Sequence, residues 1–390
     1  MNKKPLVAIE IGSSKVACAV GRPLTNGDGG GFELLGVGVA SYPTMRTTWP
    51  CETALLAETV GQALEDAKIT QPPERAIATL AHPACSHRRV TAHIDVADEP
   101  IPLRGRDLRR LHEQAISQAL ELDRDVFLLE PLGYAGNGFE GVRDPRGLVA
   151  TRLRGTFQLI GIPLAVRRTL TQALDAVGLE LDRLVYGLQA VAASCLEERL
   201  WSKRVLLIDV GGCCTEVAIL DAGRFSHTLS LPWGGMMVVD AIAKTCRLTL
   251  DQALVVSLEG LSSQRPKVRQ LVEHELQPLQ QQLDRLLKDE VLPDLAIVTG
   301  RGALMDGLVE WVAQITHINT LLGRSPRAKG LGDLRRQLAV SPALGLLELA
   351  FRTSSSTLAG GQTRVHGVRG SERLLSRLIE RTKTLLTEYF

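Results

Sequence analysis

The chain has few aromatic residues, 4% in all, and almost no charge imbalance, with 45 Lys and Arg against 43 Asp and Glu. Base stacking needs aromatic faces and phosphate tracking needs an excess of basic side chains, so a nucleic-acid partner is excluded on composition. The cysteines are Cys18, Cys51, Cys85, Cys195, Cys213, Cys214 and Cys246, an odd number with no Cys-x-x-Cys pair. That excludes a disulfide framework and a structural zinc site, and reduced thiols are the expectation. The histidines His82, His87, His93, His112, His227, His274, His317 and His366 show no metal-ligand spacing. Long apolar runs are missing too. Leu6–Ile11 is broken by Glu10 and is too short for a signal-peptide core, and nothing approaches the roughly 20 apolar residues of a spanning helix. What is there is a chain of 390 residues, 45% hydrophobic and 23% charged, long enough for two domains or one divided domain.

Leu6–Ile11 reads as a buried strand turned by "GSSK", followed by strands over Lys15–Val20 and Phe32–Ala40, with "PLTNGDGGG" as the hairpin loop between them. Leu55–Lys68 has helical spacing, and "PPERAIATL" returns to a strand. In the stretch 81–163, "RDLRRLHEQAISQAL" is an amphipathic helix with Asp107 near its start, and "FLLEPLGYAGNGFEG" and "TRLRGTFQLIGIP" are strands. Leu164–Val177 is a helix ended by Gly178, and Val205–Leu220 is a strand–turn–strand unit. Pro266–Leu287 reads as a long polar helix with a break at Pro278. "LAIVTGRGALMDGLVEWVAQI" is strand, glycine turn, helix, and Pro342–Phe351 is a last apolar helix. Thr353–Gly370 has little to bury and reads as a linker. The segments "VAIEIGSSKVACAV" and "LLIDVGGCCTEVAI" share one pattern, an acid, any residue, a glycine, a turn and a strand. Two related α/β halves facing a cleft would bring both turns to one ligand.

Polyphosphates need backbone N–H groups at close approach, small residues, a hydroxyl, and a carboxylate to hold a metal ion through water. The first turn offers Glu10, Gly12, Ser13, Ser14 and Lys15, and the second Asp209, Gly211, Gly212 and Thr215. "PWGGMM" adds Gly234 and Gly235, and "TGRGALMDGL" adds Gly300, Arg301 and Gly302, both at helix starts, which favour anions. Glu10 and Asp209 are the candidates to hold Mg2+ through water.

With these motifs the chain resembles the FtsA family of actin-like bacterial cell-division proteins over most of residues 5–352. "VAIEIGSSKVACAVG" resembles the family's first phosphate motif, "LLIDVGGCCTEVAILDAGRFSHTLSLPWGG" the second, and "IVTGRGALMDGL" the adenosine motif. The stretch from "EGVRDPRGL" to "LVYGLQAVAASCL" resembles the family's small inserted subdomain and its connecting helix. The resemblance implies an α/β fold, the actin-like two-lobed fold shared with Hsp70 and sugar kinases, with an inserted small α/β subdomain. It assigns 1–80 with 165–203 to one lobe and 81–164 to the insert. It assigns 204–245 with 292–352 to the second lobe, and 246–291 to a shortened helical subdomain. The remainder is a linker at 353–370 and a membrane-targeting helix at 371–390. It also implies ATP and Mg2+ in the cleft. The implied partners are the FtsZ C-terminal tail, other divisome proteins, anionic membrane lipid and further copies of the chain as a homo-oligomer or filament. The implied place is peripheral, on the cytoplasmic face of the cell membrane at the division site.

Several positions depart from the family pattern. Glu10 stands for an aspartate, Cys213 for a third glycine, and Cys214 for a threonine. Leu254 and Ser257 in "RLTLDQALVVSLEG" take the places of a glutamate and a lysine that touch the ribose. A Cβ and sulfur at position 213 would crowd the backbone approach to a phosphate, so weak or absent ATP binding is expected. The bland reading of Cys213 and Cys214 is two small apolar fillers. The region before "LAIVTGRG", where the family receives the FtsZ tail, is short. No residue reads as a base for activating water, so the chain is expected to be a scaffold, at most a weak ATPase.

In "SERLLSRLIERTKTLLTEYF", at 100° per residue, Leu374, Leu375, Leu378, Ile379, Leu385, Leu386, Tyr389 and Phe390 fall within an arc of roughly 160°. Arg373, Arg377, Glu380, Arg381 and Glu388 lie opposite. This reads as an amphipathic membrane-targeting helix held mainly by apolar burial, since its charges nearly balance. Two other readings share the phosphate loops. A sugar kinase-like phosphotransferase would need a substrate base. A PilM-like adaptor binding a membrane-protein peptide would lack both the "EGVRDPRGL" insert and the amphipathic tail.

Overall fold

The structure is a computed structural model that describes residues 4–24, 31–42, 52–69 and 73–351. The linker 353–370 and the apolar arc from Leu374 to Phe390 lie outside the described residues. The first half opens with β1 (Leu6–Ile11), β2 (Lys15–Pro23), β3 (Phe32–Ser41), α1 (Thr53–Asp66) and β4 (Arg75–Leu80). The insert follows: β5 (Ser86–Asp95), β6 (Ile101–Pro102), α2 (Gly105–Ala119), β7 (Arg124–Gly136), β8 (Phe139–Val142), β9 (Val149–Ala150) and β10 (Arg152–Pro163). The chain returns through α3 (Leu164–Ala176), β11 (Glu180–Tyr186) and α4 (Gly187–Cys195). The second half comprises β12 (Arg204–Val210), β13 (Thr215–Asp221), β14 (Arg224–Leu231), α5 (Gly235–Cys246), α6 (Leu250–Ser257), α7 (Pro266–Leu287), β15 (Leu295–Thr299), α8 (Leu308–Thr316) and β16 (Thr320–Leu322). A 3-10 turn at Arg301–Leu304 precedes α8, and α9 (Leu334–Phe351) is the last described helix.

The two halves repeat one topology. The first sheet runs β11-β4-β1-β2-β3 and the other β14-β13-β12-β15-β16. In each, a central strand pairs antiparallel with the next and parallel with the strand after the first connection. The hairpin turns close alike: the Gly12 N–H donates to the Lys15 carbonyl at 2.9 Å, and the Gly211 N–H to the Cys214 carbonyl at 3.0 Å. Strand β1 is apolar nearly throughout because both faces are covered, Val7, Ile9 and Ile11 in one core and Ala8 in another.

The insert has its own antiparallel sheet, β5-β10-β7-β8, backed by α2. The Asp107 carboxylate accepts the Arg104 N–H at 2.9 Å and starts that helix. Leu111 and Ala115 then face Leu153 and Phe157, while His112 Nε2 meets the Tyr134 hydroxyl at 2.8 Å.

Two helices depart from the sequence reading. Helix α7 does not break at Pro278. Pro278 and His274, four residues back, are both exposed, so the carbonyl that loses its helical donor faces solvent, and the buried stripe Val268, Val272, Leu276, Leu279, Leu283 continues unbroken. Helix α9 begins at Leu334 and passes through Pro342 rather than starting there. It also leaves the second lobe, to which 292–352 was assigned. Val340, Ala343, Leu344 and Leu347 pack with Ala8, Ala17, Ala19 and Ile77 of the first sheet. In exchange Leu188, Val191 and Ala192 of α4 share a core with Val205, Leu207 and Ala218 of the second.

Candidate functional site

The glycine turns converge where the two hairpins meet. The Cys213 N–H donates to Ser13 Oγ at 2.8 Å across the cleft, and a Cβ on Gly212 would lie 2.9 Å from the same oxygen. Arg301 donates to Ser14 Oγ at 2.7 Å. Gly300 has φ +83°, and a side chain there would overlap Asp209 Oδ1; one on Gly302 would overlap the Val210 side chain. The Gly235 and Met236 N–H groups donate to the carbonyls of Gly211 and Gly212 at 3.0 and 2.9 Å, opening α5 on the second turn, and Gly234 abuts the Gly212 carbonyl. Thr215 stands apart from this set: its hydroxyl is buried in the sheet with no partner among the described residues.

The charges at the centre are balanced, Lys15 buried and Glu10, Asp209 and Arg301 half-buried. The Lys15 ammonium is bonded directly to the Glu10 carboxylate. Burial lowers the Lys15 pKa, with the Glu10 charge opposing. Burial first, and the Glu10 charge second, push Asp209 up to about 7, while Lys15 pulls it down. Burial also lowers Arg301 to about 10.

This arrangement does not fit a nucleotide whose terminal phosphate lies between the turns. Ser13 Oγ and the Cys213 N–H are bonded to each other at 2.8 Å, which leaves no room for a phosphate oxygen between them. The carboxylate proposed for a metal water, Glu10, is taken by Lys15. Among the described residues no group of three or more His, Cys, Asp or Glu is arranged to hold a metal ion.

Cys213 is buried in the second-lobe core with Val210, Trp233 and Met236, and burial raises both its pKa and that of Cys214. Cys214 is a buried filler, while the Cys213 side chain also shares a hydrogen bond with the Ser13 side chain, beside the Ser13 Oγ contact to its N–H. On α6, Leu254 packs against the same core, and Ser257 turns its hydroxyl onto the Leu254 carbonyl at 2.8 Å.

Sequence reasoning missed a buried polar chain between the insert and the second lobe. Gln158 Nε2 donates to Thr228 Oγ1 at 3.0 Å, and His87 bridges Thr228 Oγ1 at 2.8 Å and Ser230 Oγ at 2.9 Å. Ser230 Oγ donates to Glu216 Oε1 at 3.4 Å. That donation fixes the rest: His87 Nε2–H donates to Ser230, and Nδ1 accepts from Thr228. Burial keeps His87 neutral, pushing it down to about 4. Burial, and then the Asp209 charge, raise Glu216 well above the usual carboxylate range. The signal was Glu216 itself, a carboxyl inside the apolar run "TEVAIL".

Comparison with known proteins agrees with this geometry. A family model described as the SHS2 domain inserted in FtsA matches residues 82–161, the β5–β10 insert. The chain is 24% identical over 385 residues to the cell division protein FtsA of Pseudomonas aeruginosa, covering 91% of each. It is 24% identical over 409 residues to that of Escherichia coli, covering 95% of this chain and 96% of the relative. Among solved structures, a PilM–PilN type IV pilus biogenesis complex matches with TM-score 0.66 at 17% identity, covering 89% of this chain and 97% of that one. MreB5 of Spiroplasma citri bound to AMPPNP matches with TM-score 0.51 at 12% identity, covering 90% and 97%. Those two likenesses show the actin-like fold alone. With that fold, the FtsA-type insert and similarity to FtsA along nearly its whole length, the chain is a divergent FtsA-like cell-division protein.

Proposed function

We propose that the chain tethers FtsZ filaments to the cytoplasmic face of the cell membrane and recruits later divisome proteins, as a scaffold with a degenerate nucleotide cleft. The observation that supports this most is the insert, an FtsA-type unit hydrogen-bonded into the second lobe of an actin-like chain. On this reading the partners are the FtsZ C-terminal tail, anionic lipid, other divisome proteins and further copies of the chain. The apolar arc from Leu374 to Phe390 enters the membrane. One such helix binds reversibly, so self-association supplies the avidity. Vesicles containing anionic lipid are expected to co-sediment FtsZ filaments when the full chain is added. A Leu378→Glu, Ile379→Glu variant is expected to leave FtsZ in the supernatant. FtsZ that stays behind with the intact chain overturns the proposal.

The cleft carries its own expectation. ATP–Mg2+ should give no binding heat below about 1 mM, and a Cys213→Gly, Cys214→Thr variant should do no better, because neither change removes the bond from the backbone N–H at position 213 to Ser13 Oγ. Micromolar binding by the parent chain would restore an ATP-dependent scaffold.

A further inference from the structure

The insert sheet has two faces. One carries Val90, Leu129, Leu153 and Phe157 in the core beneath α2. The other meets β14 through His87 and Gln158. Insert and hairpin also enclose an open cavity of about 510 Å3, whose wall carries Arg89, Arg143, Arg154 and Arg224 against Glu140 and Asp221. Both acids are already engaged, Glu140 with Arg154 at 2.8 Å and Asp221 with Arg204 at 3.1 Å.

The remaining arginines have only neutral partners. Arg89 contacts the Ser226 carbonyl and the His227 ring, each at 3.0 Å. Arg224 is buried and donates to the carbonyls of Pro131 at 3.2 Å and Arg143 at 3.5 Å. Among the described residues no carboxylate lies within ion-pair distance of Arg89, Arg143 or Arg224. Glu130, whose charge would act on Arg224, is pushed up to about 8 by burial and is mostly neutral at neutral pH.

Spacing narrows the class of ligand. Arg89 is on β5 and Arg143 follows β8, and these are the two edges of the four-stranded sheet. Three strand spacings separate them, on the order of 14 Å. Arginines at the two edge strands spread their charges across the width of the sheet. They match charges strung along an extended chain, which rises about 3.3 Å per residue. Among the described residues strand β8 pairs only with β7, and its Glu140 and Gly141 are in the wall, so an edge backbone lies beside the cavity.

We infer that this cavity docks an extended acidic segment of a partner protein, with its carboxylates paired to Arg89, Arg143 and Arg224. The inference does not depend on nucleotide or on the membrane segment. The test is fluorescence anisotropy on the full chain with a labelled octapeptide of alternating glutamate and serine, beside its glutamine counterpart. The glutamate peptide is expected to bind and the glutamine peptide not to, with affinity falling as salt is raised. Arg89→Glu with Arg143→Glu is expected to weaken binding about tenfold or more. Both residues are exposed, so the variant should unfold at the parent's temperature. The same charge change on the exposed face of α2, Arg106→Glu with Arg109→Glu, is expected to leave binding intact. Equal loss in both variants, equal binding of the glutamine peptide, or binding of polyphosphate in place of the peptide overturns the inference.

Discussion

Replacing Gly345 by alanine is expected to destabilise the chain by about 3 kcal/mol or more and to lower its thermal midpoint by several degrees. Helices α4 and α9 cross at this residue. A Cβ on Gly345 would overlap the Ala190 carbonyl oxygen and lie 2.8 Å from its carbon and 2.9 Å from Ser194 Cβ. Two of those atoms are backbone, so no rotamer change relieves the clash, and the helices must part. Parting them loosens two cores at once, because Leu344 and Leu347 serve the first sheet while Leu188 and Val191 serve the second. Gly61 in α1 is the contrast: no atom lies within 4 Å of its added Cβ. Gly61→Ala should therefore gain the helical preference of alanine, about 0.5–1 kcal/mol. Thermal unfolding of both variants checks the pair. A Gly345→Ala chain that melts with the parent would mean the crossing can widen freely.

The second large effect concerns Lys15. Lys15→Ala leaves the half-buried Glu10 and Asp209 carboxylates without their buried ammonium, and the loss is expected to be about 3–5 kcal/mol at pH 8. It should shrink toward pH 5. Asp209 already stands at about 7, and without Lys15 to pull it down it rises further. A carboxyl raised above its unfolded value, about 3.9, contributes stability that is complete below that value and lost as pH climbs through the folded one. The deficit is therefore largest on the alkaline side. Adding Asp209→Asn should recover much of it at pH 8, because Glu10 is then the only carboxylate left, with Arg301 still acting on it. Denaturant midpoints across this range decide the matter. A deficit that does not change with pH, or a double variant no better than the single, would show that Lys15 is not the counter-ion of the cleft.

The turns were legible because their signal is local. An acid, a glycine and a small polar turn between apolar runs specify a hairpin within a few residues, and both hairpins close with the same bond. Helix α9 was not legible in full. Nearly every residue from Gln337 to Leu347 is buried, so no apolar period marks its start, and Pro342 looked like a beginning. Strands β5 and β14 were hidden for the opposite reason. Their polar residues His87, Thr228 and Ser230 meet one another across the insert interface, so "SHRRVTAHID" and "RFSHTLSL" lack the usual signature of a buried face.

The polar chain from Gln158 to Glu216 ties the insert to the second half. The insert branches from the first half between β4 and α3, yet its bonds run to β14 of the second, which passes them on to Glu216 of β13. If the halves swing apart, either these three bonds and those of Arg89 and Arg224 break, at about 0.5–1.5 kcal/mol each, or the insert travels with the second half and the two chain passages at its base do the bending. Traction applied to the insert by anything it holds is thus delivered to Glu216, one residue from Thr215 and the second turn. The insert is spliced into one lobe and harnessed to the other.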